Sequence, residues 1–471
     1  MKTKNIQGIF LLLIGLLLPQ LLLAAAVPAA EVGRALFVRG AVSAQSENGA
    51  VRLLEKQNPI HKHDQITTGT KSFIILEMND GSRITLRPDT VFVVDEYVWK
   101  DGEGKASYSL LKGGMRALTG LIGKKNPEAS TVATPYATMG IRGTEYDARL
   151  CEQDCAKEMK ILPDNKKNIS PESLVIGRVT MIKAEVKAKD TTGKQRLLDK
   201  GGPIYLGDTL TTTDKSFVVV IFRDDTRLTI RPSSEVVLKD YLISHQGTKE
   251  SRFVTELLKG GLRTLTGSIG KQNPDGFKVK TASSTMGIRG TGFDAFYKNP
   301  TWVHVWSGAV DFAYRDGVIL VGRCEGPSGG KPSIPVVGDC KVAKYDGSGV
   351  PRYLKNVPDF MRWPRDTRPD DEQFNGLYLS MFEVRDHDFS QPGFYFTTYD
   401  GHTHTLTLAN DVHLGANEAL FSNGVLTYRL KKIPPFQLND PYPKADEAND
   451  RFFELYGLFG PSSGGQSCEV Q

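Results

Sequence analysis

Two arginines stand in the most distinctive motif of this 471-residue chain. The sequence Thr-Met-Gly-Ile-Arg-Gly-Thr occurs twice and places Arg142 and Arg289 between glycines. Glycine on both sides of an Ile-Arg pair predicts a β-bulge or a close approach of the backbone. The guanidinium would bind backbone carbonyls or a carboxylate such as Asp147 or Asp294. We therefore take Arg142 and Arg289 as candidate residues for binding a ligand or partner, with a lock inside the domain as the alternative.

Two His-x-His pairs are the candidate metal ligands, His61 with His63 and His402 with His404. Alternate residues of a strand point to the same face, so each pair could share a metal ion. Neither pair recurs in the other half of the chain, and a third and fourth ligand are not identifiable nearby. The sequence therefore predicts no metal site and no cofactor.

Basic residues follow one of the repeated glycine motifs. They are either solvated charges of a hairpin or a contact surface for anionic glycans or lipid head groups. The formal net charge of +5 includes two lysines of a predicted leader, and so small a surplus argues against nucleic acid as a partner. The residues are Lys112, Arg116, Lys124 and Lys125, with Lys259, Arg263 and Lys271 in the second half.

Motifs for catalysis are missing from the sequence. It has no Gly-x-Ser-x-Gly elbow for a nucleophilic serine and no P-loop for a nucleotide. Paired carboxylates exist, but no pattern singles any of them out. The sequence predicts a protein that is not an enzyme.

The N-terminal 30 residues have the pattern of a secretory signal peptide. Lys2 and Lys4 precede a short apolar run, and small residues follow, with cleavage after Ala26 or Ala30. An uncleaved membrane anchor is the alternative, because the apolar stretch is about long enough to span a bilayer. After cleavage, no other stretch is apolar enough to span one. We expect the protein in the periplasm or at the cell surface.

The five cysteines fit an oxidising compartment. Cys151 and Cys155 lie close in sequence, as do Cys324 and Cys340, and Cys468 lies near the C-terminus. The two near pairs are candidate disulfides, and an odd number leaves at least one cysteine unpaired. A zinc site is less favoured, since the first pair has no nearby histidine or second cysteine pair.

An internal duplication organises the chain. The Arg-Ile-Thr-Leu-Arg-Pro motif at Arg83 returns at Arg227 as Arg-Leu-Thr-Ile-Arg-Pro, an offset of 144 residues. The Lys-Gly-Gly motif at Lys112 returns at Lys259, an offset of 147. The three extra residues fall in a polar, glycine-containing loop. A period near 145 residues is too long for a solenoid repeat and indicates a duplicated domain.

Each copy has the pattern of β-strands. Phe73–Leu76 and Phe217–Phe222 are β-branched and aromatic runs, and Arg83–Arg87 alternates polar and apolar residues after an Asp-Gly turn. Neither copy keeps a helical period for more than about two turns. We predict two duplicated all-β domains, each a sandwich or a rolled sheet.

The order of these motifs resembles the FecR domain family. It runs Gly207-Asp208-x-x-Thr, an apolar strand, Asp80-Gly81-Ser82, Leu-Lys-Gly-Gly and Ile-Arg-Gly-Thr-x-Phe/Tyr-Asp, over about Asp64–Ala148 and Gly207–Val310. The first copy departs from the pattern: it has His63-Asp64 in place of Gly-Asp and stops at Cys151, where the second runs on through Val310.

The resemblance implies an all-β periplasmic module. In the family's namesake, this module senses a loaded outer-membrane iron transporter and signals to a cytoplasmic sigma factor. That relay needs a cytoplasmic helical domain before a membrane span. Only Met1–Gln7 precede the apolar run here, so we do not carry the sigma-factor mechanism over.

The C-terminal part has a different character. A stretch rich in glycine, proline and charge predicts a linker. Phe394–Thr398, a turn at Asp400-Gly401 and Thr405–Leu408 predict a hairpin, and Val425–Leu430 predicts a further strand. One amphipathic helix is predicted over 446–459.

These patterns predict an exported, non-catalytic sensing or protein-binding module of the cell envelope. Its expected partner is an envelope or outer-membrane protein, with an anionic glycan as a further ligand and no nucleic acid. A structural or adhesin-like component is the alternative, and an enzyme acting on glycans is a more distant one. The predicted parts are the signal peptide 1–30, a first FecR-like domain 31–157, a second 172–315, a linker 316–372 and a smaller β-rich C-terminal region with one helix, 373–471.

Overall fold

The structure is a computed structural model. It describes residues 30–440 apart from 168–169, 245–249, 324, 326–334, 336–337, 363–366, 368, 375–376 and 409, together with residue 443. The predicted leader up to residue 29, the helix predicted over 446–459, Cys324 and Cys468 lie outside the described residues.

The first copy forms eleven strands, whose β-branched and aromatic residues alternate between core and surface. The strands are β1 Glu31–Arg39, β2 Val42–Gln45, β3 Val51–Leu53, β4 Pro59–His61, β5 Gln65–Thr68, β6 Phe73–Met78, β7 Arg83–Leu86, β8 Val91–Lys100, β9 Glu103–Leu118, β10 Ser130–Ala133 and β11 Ala137–Cys151. Short helices follow β9 and β11: α1 Leu121–Lys125, a 3-10 turn Pro127–Ala129, α2 Asp154–Ile161 and α3 Asp164–Lys167.

The second copy repeats this order and continues further. Its strands are β12 Val175–Lys183, β13 Val186–Lys189, β14 Gln195–Leu197, β15 Pro203–Tyr205, β16 Thr209–Thr212, β17 Phe217–Phe222, β18 Arg227–Ile230, β19 Glu235–Leu242, β20 Arg252–Leu265, β21 Phe277–Lys280, β22 Thr285–Tyr297, β23 Thr301–Tyr314, β24 Gly317–Val321, β25 Val342–Tyr345 and β26 Arg352–Tyr353. Helix α4 Ser268–Gln272 and the 3-10 turn Pro274–Gly276 correspond to those after β9.

The C-terminal region contributes the remaining elements. They are the 3-10 turns Asp359–Met361 and Glu372–Phe374, α5 Leu377–Phe382, β27 Val384–Arg385, β28 Gly393–Thr407, β29 Asp411–Leu414, β30 Glu418–Ser422, β31 Thr427–Leu430 and α6 Pro435–Leu438. The prediction of an all-β protein with two duplicated domains is confirmed.

A long bent strand lets each copy roll one sheet around its core. The first part of β9 pairs with β8, and its last residues pair with β7 and β11. The bend lies at Gly113, whose φ of +78° is left-handed and whose missing Cβ would collide with Thr90. In the second copy the bend lies at Gly260, whose φ is +84° and where a Cβ would collide with Ser234. This is the physical role of the repeated Lys-Gly-Gly motif, and it makes each domain a rolled sheet.

The C-terminal strands complete the first copy. Strand β28 pairs antiparallel with β11 from Ala137↔Thr407 to Cys151↔Gly393, as β23 pairs with β22 in the second copy. Strands β29 and β30 pair with β28, and β31 pairs with β30. In the same way, β24 and β25 of the second copy pair with β23, and β26 pairs with β25. The first copy is therefore discontinuous in sequence, with the second copy inserted between β11 and β28.

This arrangement corrects three expectations about the C-terminal part. The strands predicted as a separate region belong to the sheet of the first copy. The predicted linker contains β24, β25 and β26 of the second sheet. The hairpin predicted at Asp400-Gly401 is instead one continuous strand, β28, in which these residues form a bulge opposite Glu145. An Asp-Gly pair with a left-handed glycine suits a bulge as well as a turn.

The first core depends on residues far apart in sequence. Phe394, Phe396, Leu414 and Leu420 are fully buried and pack in the same cluster as Ile74 and Phe92 of the first copy. The second core takes its corresponding residues, such as Val303 and Val305, from the strand that directly follows it. Both cores close in the same way, but only the first needs a distant segment.

The predicted disulfide between Cys151 and Cys155 is present. Cys340 is also in a disulfide, while its predicted partner lies outside the described residues. The first bridge holds α2, whose Glu158 binds Arg87 at 2.8 Å and Arg149 at 2.6 Å.

Replacing both Cys151 and Cys155 by serine is expected to destabilise the protein modestly. The bridge closes a loop with a sequence separation of only 4, for which chain entropy gives about 2 kcal/mol. Urea unfolding should show this loss of free energy of unfolding. An unchanged midpoint would mean that the ion pairs of Glu158 hold α2 without the bridge.

Within the part of the chain that the structure describes, no helix is both long and apolar enough to cross a membrane.

Candidate functional site

The predicted binding residue Arg142 lies where the two copies meet. Its guanidinium binds Asp199 of the second copy, with Nη1 and Oδ1 2.8 Å apart. The backbone around it bulges as predicted: the register against β28 shifts between Arg142 and Glu145, and Gly143 has a φ of +58°. The same shift occurs after Arg289, whose side chain lies outside the described part. Arg142 therefore already has a carboxylate partner within the chain.

The two aspartates expected to bind these arginines have other roles. Asp294 accepts a hydrogen bond from Arg263 at 2.9 Å. Asp147 is buried beside Asp440, and burial together with that second carboxylate raises the pKa of Asp147 well above its usual value. The expectation that Asp147 would bind Arg142 is wrong, because Arg142 binds Asp199 of the second copy instead.

Asp199, His402 and His413 form a line of side chains across the meeting point, which we call the junction chain. His402 Nδ1 lies 3.3 Å from Asp199 Oδ1, and His402 Nε2 lies 3.0 Å from His413 Nδ1. Burial lowers the pKa of both histidines, that of His413 to about 2, so both are neutral at pH 7. Burial alone would raise the pKa of Asp199, but its hydrogen bond to His402 and the charge of Arg142 lower it overall.

The second His-x-His pair takes part in this site. His402 and His404 lie on β28 and share a face, since the rings of both stack on His413, with centroids 5.2 and 4.4 Å away. Asp411 binds His404 and lies 3.6 Å from His413 Nε2. One atom each of His404, Asp411 and His413 fall within 4.8 Å of one another. These three residues could hold a metal ion.

Sequence reasoning missed Asp411 and His413 as members of the site. With a hairpin turn predicted at Asp400-Gly401, the sequence gave no reason to pair Asp411 and His413 with the His-x-His pair. The signal was an Asp-x-His pattern seven residues after His404, with the spacing of a hairpin that Thr407 and Asn410 close.

The other His-x-His pair is arranged differently. His61 ends β4, and His63 has a left-handed φ of +66° in the following turn. The two side chains therefore do not share the face of a strand. His61 lies 3.7 Å from Asp64, which is held by Arg52 at 2.9 Å.

A buried ion network fastens the same junction beside the histidines. Glu418 of β30 binds the fully buried Arg178 of β12 and accepts a bond from Arg223 at 3.2 Å. Burial would raise the pKa of Glu418, but the charges of Arg178, Arg429 and Arg223 lower it to about 2. Arg429 donates to the backbone of His413 at 3.2 Å, which connects this network to the junction chain.

Tyr205 adds a neutral contact across the junction. Its hydroxyl donates to the Gly401 carbonyl at 2.9 Å and accepts from the Ala416 amide at 3.0 Å. Gly201 approaches His413 so closely that a Cβ there would collide with the imidazole ring. The second copy therefore packs tightly against the strands that complete the first.

Two of the basic residues predicted as a glycan surface bind other groups of the chain. Arg116 is buried and bonds Glu145 at 2.6 Å, and Lys125 bonds the Gly102 carbonyl at 3.1 Å. Lys112 lines a cavity of about 790 Å³. The same cavity is lined by acidic residues such as Glu158, so its charge is mixed.

The fold and junction define a class of protein: a duplicated all-β protein in which two rolled sheets are fastened by a buried polar interface. Residues 64–162 and 208–311 match the FecR protein family. Each copy thus contains one region that matches this family, as the order of the motifs predicted.

Two solved structures illustrate the partial likeness of this chain to known folds. A protein described as a cell surface anchoring domain is 25% identical and covers 13% of this chain and 83% of its own, with a TM-score of 0.13. A putative anti-sigma factor from Parabacteroides distasonis is 12% identical and covers 31% of this chain and 59% of its own, with a TM-score of 0.22. TM-scores this low support no function. No curated protein sequence matches the chain closely enough to count as a relative.

Proposed function

We propose that the protein is an exported, non-catalytic module of the cell envelope that senses or binds another envelope protein. The match of both copies to the FecR family supports a regulatory, signalling role. Arg142 is engaged by Asp199, so we place the contact with a partner elsewhere.

The observation that carries a protein-binding role is an exposed apolar tip on the first copy. Two hairpin ends meet there, where Asn410 donates to the Thr427 carbonyl at 3.0 Å. Contiguous exposed apolar side chains on a soluble protein mark interaction sites. The tip consists of Leu406, Leu408, Val425 and Leu426, of which Leu408 is 95% and Val425 is 78% exposed.

The second copy has a different tip at the corresponding place. The turn between β23 and β24 carries the ion pair Arg315–Asp316, and the turn between β25 and β26 carries Asp346, which binds Arg352. Its exposed apolar residues in the described part of the chain are Val318 and Val350, at 39% and 55%. The two copies share a fold, but the first alone carries this apolar tip in the described part of the chain. We therefore attribute the tip to binding of a partner by the first copy and not to a requirement of the fold.

Substituting Leu408→Asp together with Val425→Asp is expected to abolish capture of the partner from envelope extracts. Each apolar side chain buried in a complex contributes about 1.5–3 kcal/mol, so the pair should weaken binding about a hundredfold or more. Val318→Asp together with Val350→Asp is the matched control, since it adds the same two charges at exposed apolar positions of the corresponding tip of the second copy. Equal recovery of partners by the double variant and the control would refute this role for the tip.

A further inference from the structure

We propose that His404, Asp411 and His413 bind a divalent transition-metal ion of the Zn²⁺ class. The three residues lie on neighbouring strands, where His404 is directly opposite His413 and Asp411 is opposite Leu406. This inference does not depend on the proposed function, because it concerns a different ligand, held by polar side chains that are not part of the apolar tip.

The ligand geometry suits such an ion. Zinc binds imidazole nitrogen and carboxylate oxygen at about 2.0–2.2 Å, which places neighbouring ligands of a tetrahedral site about 3.5 Å apart. His413 Nε2 and Asp411 Oδ1 are 3.6 Å apart, and all three ligand atoms lie within 4.8 Å of one another. An ion bound there would replace the hydrogen bond between His404 and Asp411.

The junction chain presents His413 as a ligand. If His402 donates from Nδ1 to Asp199, its Nε2 accepts the Nδ1 hydrogen of His413. His413 then has no hydrogen on Nε2, and that lone pair faces Asp411. A metal-binding histidine usually donates its other N–H to a carboxylate or similar acceptor, which fixes the ring and strengthens the ligand. Here the acceptor is His402, which Asp199 in turn holds.

Access and specificity are consistent with binding from solution. The side chains of His404 and Asp411 are 38% and 54% exposed, while that of His413 is 17% exposed. Two imidazoles and one carboxylate favour transition metals over Mg²⁺ and Ca²⁺, which prefer all-oxygen sites. Three protein ligands leave a position for water or an external ligand.

The second copy has lost, or never had, this site. The strand pairing aligns His404 with Asp311, His413 with Leu320 and Asp411 with Val318. Two of these three residues cannot bind a metal. The ligands therefore do not serve the shared fold, which forms in the second copy without them.

The test is zinc titration of the full chain, freed of metal by a chelator, using calorimetry with a competing chelator. We expect one Zn²⁺ per chain, and affinity at least a hundredfold lower in His404→Ala with Asp411→Asn. Both changes are at exposed positions, and circular dichroism checks that the variant folds. The control is His61→Ala with His63→Ala, which should bind Zn²⁺ like the unmodified chain.

His402→Ala tests the positioning role separately, and loss of this support should weaken binding about 10–100-fold. Cobalt substitution should give visible absorption bands in the unmodified chain and not in the ligand variant. Equal zinc affinity of the ligand variant and the unmodified chain, or loss of binding in the His61/His63 control alone, would overturn the proposal. All of these measurements use the isolated chain, so they are independent of whether the apolar tip captures a partner.

Discussion

Deleting the C-terminal strands is expected to unfold the first copy and leave the second copy folded. A chain of residues 30–167 lacks β28, so the 15-residue strand β11 loses its antiparallel partner along most of its length. Strand β11 keeps its pairing with β9 and β10 on one side, but its other side becomes an open sheet edge beside an uncovered core, which favours aggregation. Residues 172–382 retain β23–β26 and should fold alone.

The size of the effect follows from burial. The deletion removes Phe394, Phe396, Leu414 and Leu420, all fully buried, from the first core. At about 1.5–3 kcal/mol for each side chain, the loss is roughly 6–12 kcal/mol, comparable to the whole stability of a typical domain.

Hydrogen exchange and cooperative urea unfolding of the two fragments measure this. Strands β17 and β22 should stay protected in fragment 172–382, and β6 and β11 should exchange rapidly in fragment 30–167. Adding residues 391–433 as a separate peptide should restore protection to β11. Cooperative unfolding of fragment 30–167 by itself would show that β28 is an accessory and not a part of the first domain.

Removing the carboxylate of Glu418 is expected to have the second large effect. Glu418→Ala leaves Arg178, which is fully buried, without its anion, and Arg223 and Arg429 lose a neighbouring negative charge. Breaking a buried ion pair from one side typically costs about 3–5 kcal/mol. The loss should appear as separation of the two copies before either unfolds, since the network joins β12 to β30.

The same residue makes the junction sensitive to acid. The folded-state pKa of Glu418 is about 2, below its ordinary value of 4.5. Because this pKa is lowered, ionised Glu418 contributes roughly 3 kcal/mol to the free energy of unfolding above about pH 4.5. This contribution is lost as the pH falls toward 2. The difference in free energy of unfolding between the unmodified chain and Glu418→Gln should therefore shrink between pH 5 and pH 3.

An exposed ion pair supplies the control for both measurements. Lys431 and Asp386 lie 3.1 Å apart, with side chains 57% and 78% exposed. Asp386→Ala should cost no more than about 1 kcal/mol. If Glu418→Ala lowered the free energy of unfolding as little as this control does, the buried network would not be what holds the two copies together.

Much of each copy was predictable because the information is local. The polar–apolar alternation in Arg83–Arg87 predicted strand β7, and the apolar run at Phe73 predicted β6. The glycines around Arg142 predicted the bulge found there. The repeated motifs made every such prediction twice. The spacing of Cys151 and Cys155 was also enough to predict their bridge.

The site was not predictable to the same extent. The proposed ligands lie on a hairpin for which the sequence predicts a turn at Asp400-Gly401. The strand continues through these residues instead, because the left-handed Gly401 fits the bulge opposite Glu145. Asp199, which orients His402, lies in the other copy, about 200 residues earlier in the chain. No periodicity connects residues that far apart.

By itself, the sequence determined that the chain is all-β, that it is duplicated and that each copy carries FecR motifs, because periodicity and turn residues act over a few neighbours. Only the tertiary structure decided that β28 completes the first copy and that Arg142, Asp199 and three histidines meet at one junction. The open edge of β11 and its uncovered core select a partner by burial and backbone hydrogen bonding, and these forces do not depend on distance along the chain.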